Sequence, residues 1–461
     1  MTLSIGGHAP ARHRTRTLLA GLAAATLAGL AACGGNNNNS YCVNLSKASG
    51  VIGQPDFNSG SPNQNGAASA STVSGPFGSV ATNGSVFYVD DTANNRILVY
   101  TTVPTGVAGA ATGVIGQNDF SSVAPATTAT SLAAPRKVSI GTDASGAQRY
   151  LVVADTNNNR VLIWDASLHG GQLPTSNVQA DVVVGQTGFT TRTAATSQTG
   201  LNGPTAAMIA LGTLVVVDQN NNRVLVWNSV PTSNGAPADA VIGQPDFTSN
   251  NQGTLSTVSN GTSVTQVIGL NNPSDLWTNG FSLFVSDTGN NRVLYWNQIP
   301  TTTDPTTNNM PNFVIGQTIF GANTSGSGTQ HMNGPLGIYS DGSSLYVADT
   351  GNNRVLVFDS VNPLTTNGPA ASGLFGQSDY SHVTPNDIDQ NNKEGNQQNG
   401  KNDLNPTQYT LKSPSATYTD SSGNLYVTDR GNNRILVFPI SSQVSGATPR
   451  LCTTGSLTIT P

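Results

Sequence analysis

Some side chains are scarce in this 461-residue chain. It holds a single glutamate, Glu394, and five lysines, and charged residues are 9% of the total. Without helix formers such as Glu and Lys, a helical architecture has little to draw on, whereas Asn, Thr, Ser, Gly and Val abound. The expected class is all-β. Of 19 basic residues, Arg12, Arg14 and Arg16 fall in the N-terminal leader, so the remainder carries 16 basic against 24 acidic residues, a balance of −8. Six of those 16 belong to a repeated turn, which leaves no basic patch of the kind nucleic acid requires. Beyond the leader only His169, His331 and His382 occur, in three different connections, and no pair has metal-ligand spacing. A Gly-x-Ser-x-Gly elbow, a phosphate loop and a cysteine-centred nucleophile are all missing. No cofactor is expected.

Residues 1–32 have the layout of an export signal, with basic Arg12 to Arg16, an apolar run from Leu18 to Ala32, and Leu30-Ala31-Ala32 leading into Cys33. The run is short and rich in Ala and Gly, which argues against a single spanning helix. The ending resembles the bacterial lipobox. That resemblance implies lipidation of Cys33, a flexible Asn-rich tether over 33–41, and attachment to the cell envelope, with the outer membrane the expected site; an ordinary signal peptide with an incidental cysteine is the alternative. Two cysteines remain, Cys42 and Cys452, near the two ends of the domain at 42–461. In an oxidising compartment they are expected to form a disulfide closing a very long loop, rather than to stand as two buried thiols.

The rest of the chain is organised around Asp349-Thr-Gly-Asn-Asn-Arg354, because close copies begin at Asp91, Asp155, Asp218, Asp287, Asp349 and Asp429 and end at Arg96, Arg160, Arg223, Arg292, Arg354 and Arg434. Short apolar runs flank each copy, so each reads as a β-hairpin turn. The third turn residue is Gly, Asn or Ala, which fits a position wanting positive φ. A second pattern, Gly-Gln-x-x-aromatic, occurs at Gln54, Gln117, Gln186, Gln244, Gln317 and Gln377, but its first copy precedes every hairpin and the last hairpin has none after it. A third, an apolar residue three places before a proline, ends at Pro76, Pro135, Pro204, Pro273, Pro335 and Pro414, and proline suits the first residue of a strand. The repeat is therefore a proline strand, a strand ending in Asp, a strand beginning with Arg, and a Gly-Gln strand. Four antiparallel strands make a propeller blade. The expectation is a six-bladed β-propeller, closed by an N-terminal strand that completes the last blade.

At these residues the chain resembles the NHL-repeat β-propellers, over residues 51 to 438, and resembles a bacterial lipoprotein branch of them. The resemblance implies the propeller fold. It leaves function open, because the family includes protein-binding and RNA-binding modules, a receptor-kinase sensor domain and an amidating lyase whose histidine-bound metal finds no matching positions here.

A residue present in all six copies serves blade construction, so each Asp is expected to cap its own turn and each Arg to pair with a carboxylate or carbonyl between blades. Arg292→Ala should then cost roughly 1–3 kcal/mol. The aromatic residues ending the Arg strands, Tyr100, Trp164, Trp227, Trp296, Phe358 and Phe438, are expected to pack between blades. Arg136, Lys137 and Asp275 follow their prolines closely, interrupt a small or apolar channel lining, and are candidate ligand-binding residues. The segment Asp387 to Gln398 resembles the start of a calcium loop but has Asn392 and Gln398 where that loop needs Gly and Glu, so a solvated insertion is the plainer reading. The expected function is a monomeric, lipid-anchored, non-catalytic binding or scaffold module for protein or glycan partners. The alternative is an envelope lyase or hydrolase at the channel mouth, with calcium as a candidate ion.

Overall fold

The computed structural model describes residues 31–34, 41–253, 255–259, 264–306, 309–361, 363–388, 405–445 and 450–451. Six four-stranded antiparallel sheets follow one another along the chain. Blade 1 comprises Ala81–Thr82, Phe87–Asp91, Arg96–Tyr100 and Gly113–Ile115. Blade 2 comprises Pro135–Thr142, Gln148–Asp155, Arg160–Asp165 and Val182–Val184. Blade 3 comprises Pro204–Ala210, Thr213–Asp218, Arg223–Trp227 and Ala240–Ile242. Blade 4 comprises Asp275–Thr278, Leu283–Asp287, Arg292–Trp296 and Phe313–Ile315. Blade 5 comprises Pro335–Ser340, Ser344–Asp349, Arg354–Asp359 and Gly373–Phe375. Blade 6 has three C-terminal strands, Ala416–Thr419, Asn424–Asp429 and Arg434–Pro439, and takes its outer strand, Gly50–Ile52, from the other end of the chain. There Ile52 lies opposite Ile435 and Val51 opposite Leu436, so the ring closes as the repeat phase requires.

Burial holds the blades together. Six apolar clusters lie between successive blades; the one joining blades 6 and 1 sets Tyr426, Ile435 and Val437 against Phe87, Val89 and Leu98. The aromatic residues that end the Arg strands are buried in these clusters, each removing a large apolar area from water. The glycine of each Gly-Gln pair is part of the same packing. Gly116 has φ +92°, and a Cβ there would come within 2.6 Å of Leu132, the apolar residue ahead of the next proline.

The Asp–Arg turns show how six copies of one hexapeptide build the ring. Each is a short 3-10 turn, and its left-handed residue is the fifth, as at Asn95 (φ 55°), Asn291 (φ 53°) and Asn433 (φ 49°). The third position, assigned positive φ from sequence, has none; asparagine, which tolerates that region, supplies it two residues later. The aspartate does not cap its own turn. Asp287 Oδ1 accepts the backbone N–H of Asn271, ahead of the inner strand of its blade, and Oδ2 takes Arg292 Nε and Asn290 Nδ2. The arginine pairs within its own blade and clamps the connections on either side. Arg160 donates Nε to Asp155, Nη1 to the Phe189 carbonyl, and Nη2 to the carbonyls of Thr128 and Ser131. All six pairs have side chains 0% exposed. A buried charge pair is tolerable when its remaining donors are satisfied in this way. The glutamines serve the same loops: Gln244 Nε2 donates to the carbonyls of Asn222 and Asn251.

Two smaller sheets lie outside the blades. Leu255–Ser259 pairs with Val264–Ile268, and Tyr41–Asn44 pairs with both Ala31–Gly34 and Arg450–Leu451. The expected disulfide involves Cys452, which lies outside the described residues, as do residues 1–30 of the leader and 389–404, which hold most of the calcium-loop candidate. Among the described residues no helix is long and apolar enough to cross a membrane.

Candidate functional site: the layered central channel

The innermost strand of every blade starts near its proline and runs along the central axis, so equivalent positions form rings. Three rings are distinct. The residues one after proline are Phe77, Arg136, Thr205, Ser274, Leu336 and Ser415, and all six line one small cavity. The residues two after proline include Lys137 and Asp275, where other blades have small residues such as Gly78 and Ala206. The residues four after proline are Val80, Ser139, Met208, Trp277, Tyr339 and Tyr418, and they line a larger cavity.

The middle ring is a plug. Lys137 Nζ, from blade 2, passes blade 3 and donates to Asp275 Oδ1 of blade 4 at 2.6 Å and to the Leu276 carbonyl at 2.7 Å. Asp275 Oδ2 accepts the backbone N–H of Ile338 in blade 5. Both side chains are buried. These two candidate ligand-binding residues thus spend their charges on each other, and the cavity on the turn side of them has about 10 Å³, room for about one water.

On the Asp–Arg turn face, Arg136 lies above this plug with Nη1 on Gln219 Oε1, while its guanidinium sits 4.4 Å from the centroid of Phe77. Arg430, on the turn of blade 6, sits 4.8 Å from the same ring. Burial, and then the neighbouring Arg430 charge, hold the basicity of Arg136 below its usual value.

The opposite mouth is a funnel. Its inner part, about 370 Å³, is walled by the ring containing Met208, Trp277, Tyr339 and Tyr418, with Gln148 and Asn279 at its edge. An outer part of about 750 Å³ shares Thr82, Gln148, Tyr339 and Tyr418 with it and extends past Asn83 and Asp420. Tyr339 and Tyr418 pack with ring centroids 4.6 Å apart, and the Tyr418 hydroxyl donates to the Thr82 carbonyl at 3.2 Å. Burial pushes the Tyr339 hydroxyl well above the ordinary phenol range, so it remains a neutral hydrogen-bonding group. Sequence reasoning singled out Arg136, Lys137 and Asp275 and missed this mouth. The usable signal was the position four residues after each proline, which is aromatic in three consecutive blades.

No reacting constellation assembles among the described residues. His169 meets Asp181 at 2.9 Å and His382 meets Asp379 at 2.8 Å, each within its own peripheral connection. No group of three His, Cys, Asp or Glu side chains suited to a metal occurs among the described residues.

The NHL-repeat family model matches residues 411–438, the sixth proline strand through the sixth Arg strand. No curated protein sequence matches the chain. Similar solved structures include an auxiliary nutrient binding protein from Bacteroides ovatus, with 12% identity and TM-score 0.44 over 85% of this chain and 75% of that one. They also include a putative 6-phosphogluconolactonase from Bacteroides uniformis, with 14% identity and TM-score 0.42 over 85% and 91%. A third is hydrazine synthase from Kuenenia stuttgartiensis, with 12% identity and TM-score 0.40 over 80% and 96%. The matched repeat carries the same buried Asp–Arg pair, Asp429 with Arg434, that recurs in the other five blades, and the chain is a six-bladed β-propeller with an NHL repeat at residues 411–438.

Proposed function

We propose that this propeller is an exported, lipid-anchored, non-catalytic binding module of the bacterial cell envelope, and that its recognition surface is the funnel opposite the Asp–Arg turns, where it takes a glycan. The observation that carries the reading is the ring of Trp277, Tyr339 and Tyr418 beside the amides of Gln148 and Asn279. Flat aromatic faces suit the apolar face of a sugar ring, while amides supply both donors and acceptors for its hydroxyls. A concave, mostly preformed site with a few convergent polar groups is the usual form of a small-molecule pocket. The repeated charges, by contrast, are consumed inside the blades.

The test is calorimetric titration of the soluble ring, lacking residues 1–40, with peptidoglycan fragments and envelope polysaccharides. Binding by the wild type that weakens about tenfold in Gln148→Ala and in Tyr339→Leu, with unchanged melting temperature, supports the reading. Glycan binding indifferent to both substitutions, or no binding of any glycan class, sinks it. Lipid attachment is tested separately by labelling cells with an alkyne fatty acid, which should mark the wild type and not Cys33→Ser. In the small sheet Cys33 lies opposite Cys42. A Cys33–Cys42 disulfide in the purified protein would consume the thiol that lipidation needs and would refute the anchor.

A further inference from the structure

We propose that the turn-side mouth of the channel is an oxyanion-binding site, in which Arg136 and Arg430 grip a phosphate or carboxylate group beside Phe77. This site is separate from the funnel and does not depend on it, because the Lys137–Asp275 bridge lies between them.

Three observations converge. The first is geometric: the two guanidiniums come from blades 2 and 6 yet share one aromatic ring, at 4.4 and 4.8 Å from its centroid. The Arg430 charge acts directly on Arg136, so the two cations face a common space at the mouth. Stacking on a ring holds a guanidinium plane in place while its N–H edge stays available for a planar, two-pronged contact.

The second is electrostatic. Among the described residues neither arginine has a carboxylate within ion-pair distance, whereas the six repeat arginines all do. The carboxylate whose charge acts on Arg136, Asp90, is buried and accepts the Gly78 N–H and the Thr92 hydroxyl, and burial holds its carboxyl well above the usual range. Arg136 is partly buried and Arg430 is exposed at the mouth, and the Arg430 charge depresses the basicity of Arg136, a like-charge repulsion that a shared anion relieves.

The third is the floor. The hydroxyls of Thr205 and Ser415, each 2% exposed, line the small cavity under Arg136 and make no hydrogen bond within the protein. They are donors in reserve below the mouth, for the anion or for a water beneath it.

Arg430 is also a departure from the repeat. The same turn position is threonine in four of the other turns, at Thr92, Thr156, Thr288 and Thr350, and glutamine in the fifth, Gln219. In three of those turns the threonine hydroxyl donates to the carbonyl of the next blade's proline, as Thr350 does to Pro414 at 2.7 Å. Blade 6 gives up that inter-blade bond and places a cation over the mouth instead.

The experiment is calorimetric titration of the soluble ring with inorganic phosphate and, separately, with N-acetylglutamate. Saturable one-to-one binding of either probe is expected, weakening at least about tenfold in Arg430→Thr and in Arg136→Gln. Arg430→Thr restores the commoner turn residue, so its melting temperature should match the wild type and separate lost binding from lost fold. Binding of phosphate alone or of the carboxylate alone would support the site and say which oxyanion it prefers. No saturable binding of either probe, or equal affinity in the Arg136→Gln/Arg430→Thr double variant, overturns the proposal.

Discussion

Asn433 Oδ1, in the last blade, accepts the backbone N–H of Gly75, at the start of the first, at 2.8 Å. The same bond joins every neighbouring pair of blades, from Asn95 to Ala134, Asn159 to Gly203, Asn222 to Asn272, Asn291 to Gly334 and Asn353 to Ser413. Six identical links close a circle, and the one at Asn433 is the only one of them spanning the two ends of the chain. Asn433→Gly keeps the left-handed backbone but removes that link and the bond from Nδ2 to the Gly60 carbonyl. It should cost about 1–3 kcal/mol in chemical denaturation. Stability within error of the wild type would mean that the Gly50–Ile52 strand pairing and apolar packing close the ring without this link.

Arg292→Ala strands Asp287 without water and frees the Phe320 and Gly269 carbonyls. Removal of one member of a buried pair puts the loss at about 3–5 kcal/mol, above the 1–3 kcal/mol expected from sequence. Arg292→Lys should recover only part of it, since one ammonium cannot replace donors held at fixed angles toward Asp287 and the two flanking connections. Urea denaturation of both variants measures this, and full recovery by lysine would contradict the clamp.

Lys137→Met leaves the buried Asp275 without its cation, at an expected cost of about 3–5 kcal/mol. The double variant Lys137→Met/Asp275→Leu removes the stranded charge and should regain most of that stability in the same measurement. If the double variant is no better than the single one, the bridge is not the reason for the loss.

Asp90 gives a pH dependence with a definite sign. Burial raises its folded-state pKa above the unfolded value, so the folded protein binds the proton more tightly. Its contribution to stability is therefore largest at low pH and is lost as pH rises from the ordinary carboxylate range toward the folded pKa. Asp90→Asn should flatten the stability profile over that window. Parallel profiles for wild type and variant between pH 4 and 7, measured by denaturation, would place the Asp90 pKa elsewhere.

Several features were legible in particular residues. The Gly-Gln copy at Gly53-Gln54 had no hairpin before it, and Asp429 to Arg434 had no Gly-Gln strand after it, so residues 50–52 had to complete blade 6. What the repeated polar side chains bond to was not legible. Asp287 accepts no backbone N–H of its own turn: Oδ1 takes the Asn271 N–H of the preceding segment, and Oδ2 takes the Asn290 and Arg292 side chains. The funnel was hidden for a related reason. Trp277, Tyr339 and Tyr418 lie on separate blades, and each alone looks like one more packing aromatic.

The blade count, the division into four strands and the closure by the opposite chain end follow from the sequence alone, because each repeat solves the same local problem and states it in the same residues. The character of the channel was decided only by the tertiary structure. Each of its rings takes one side chain per blade from positions some 60 residues or more apart along most of the ring, and only the closed circle brings Lys137 to Asp275, Arg136 to Arg430 across Phe77, and three aromatic rings to one mouth. Repetition encodes a scaffold; recognition resides where single blades depart from it, and the meaning of a departure depends on what faces it across the axis.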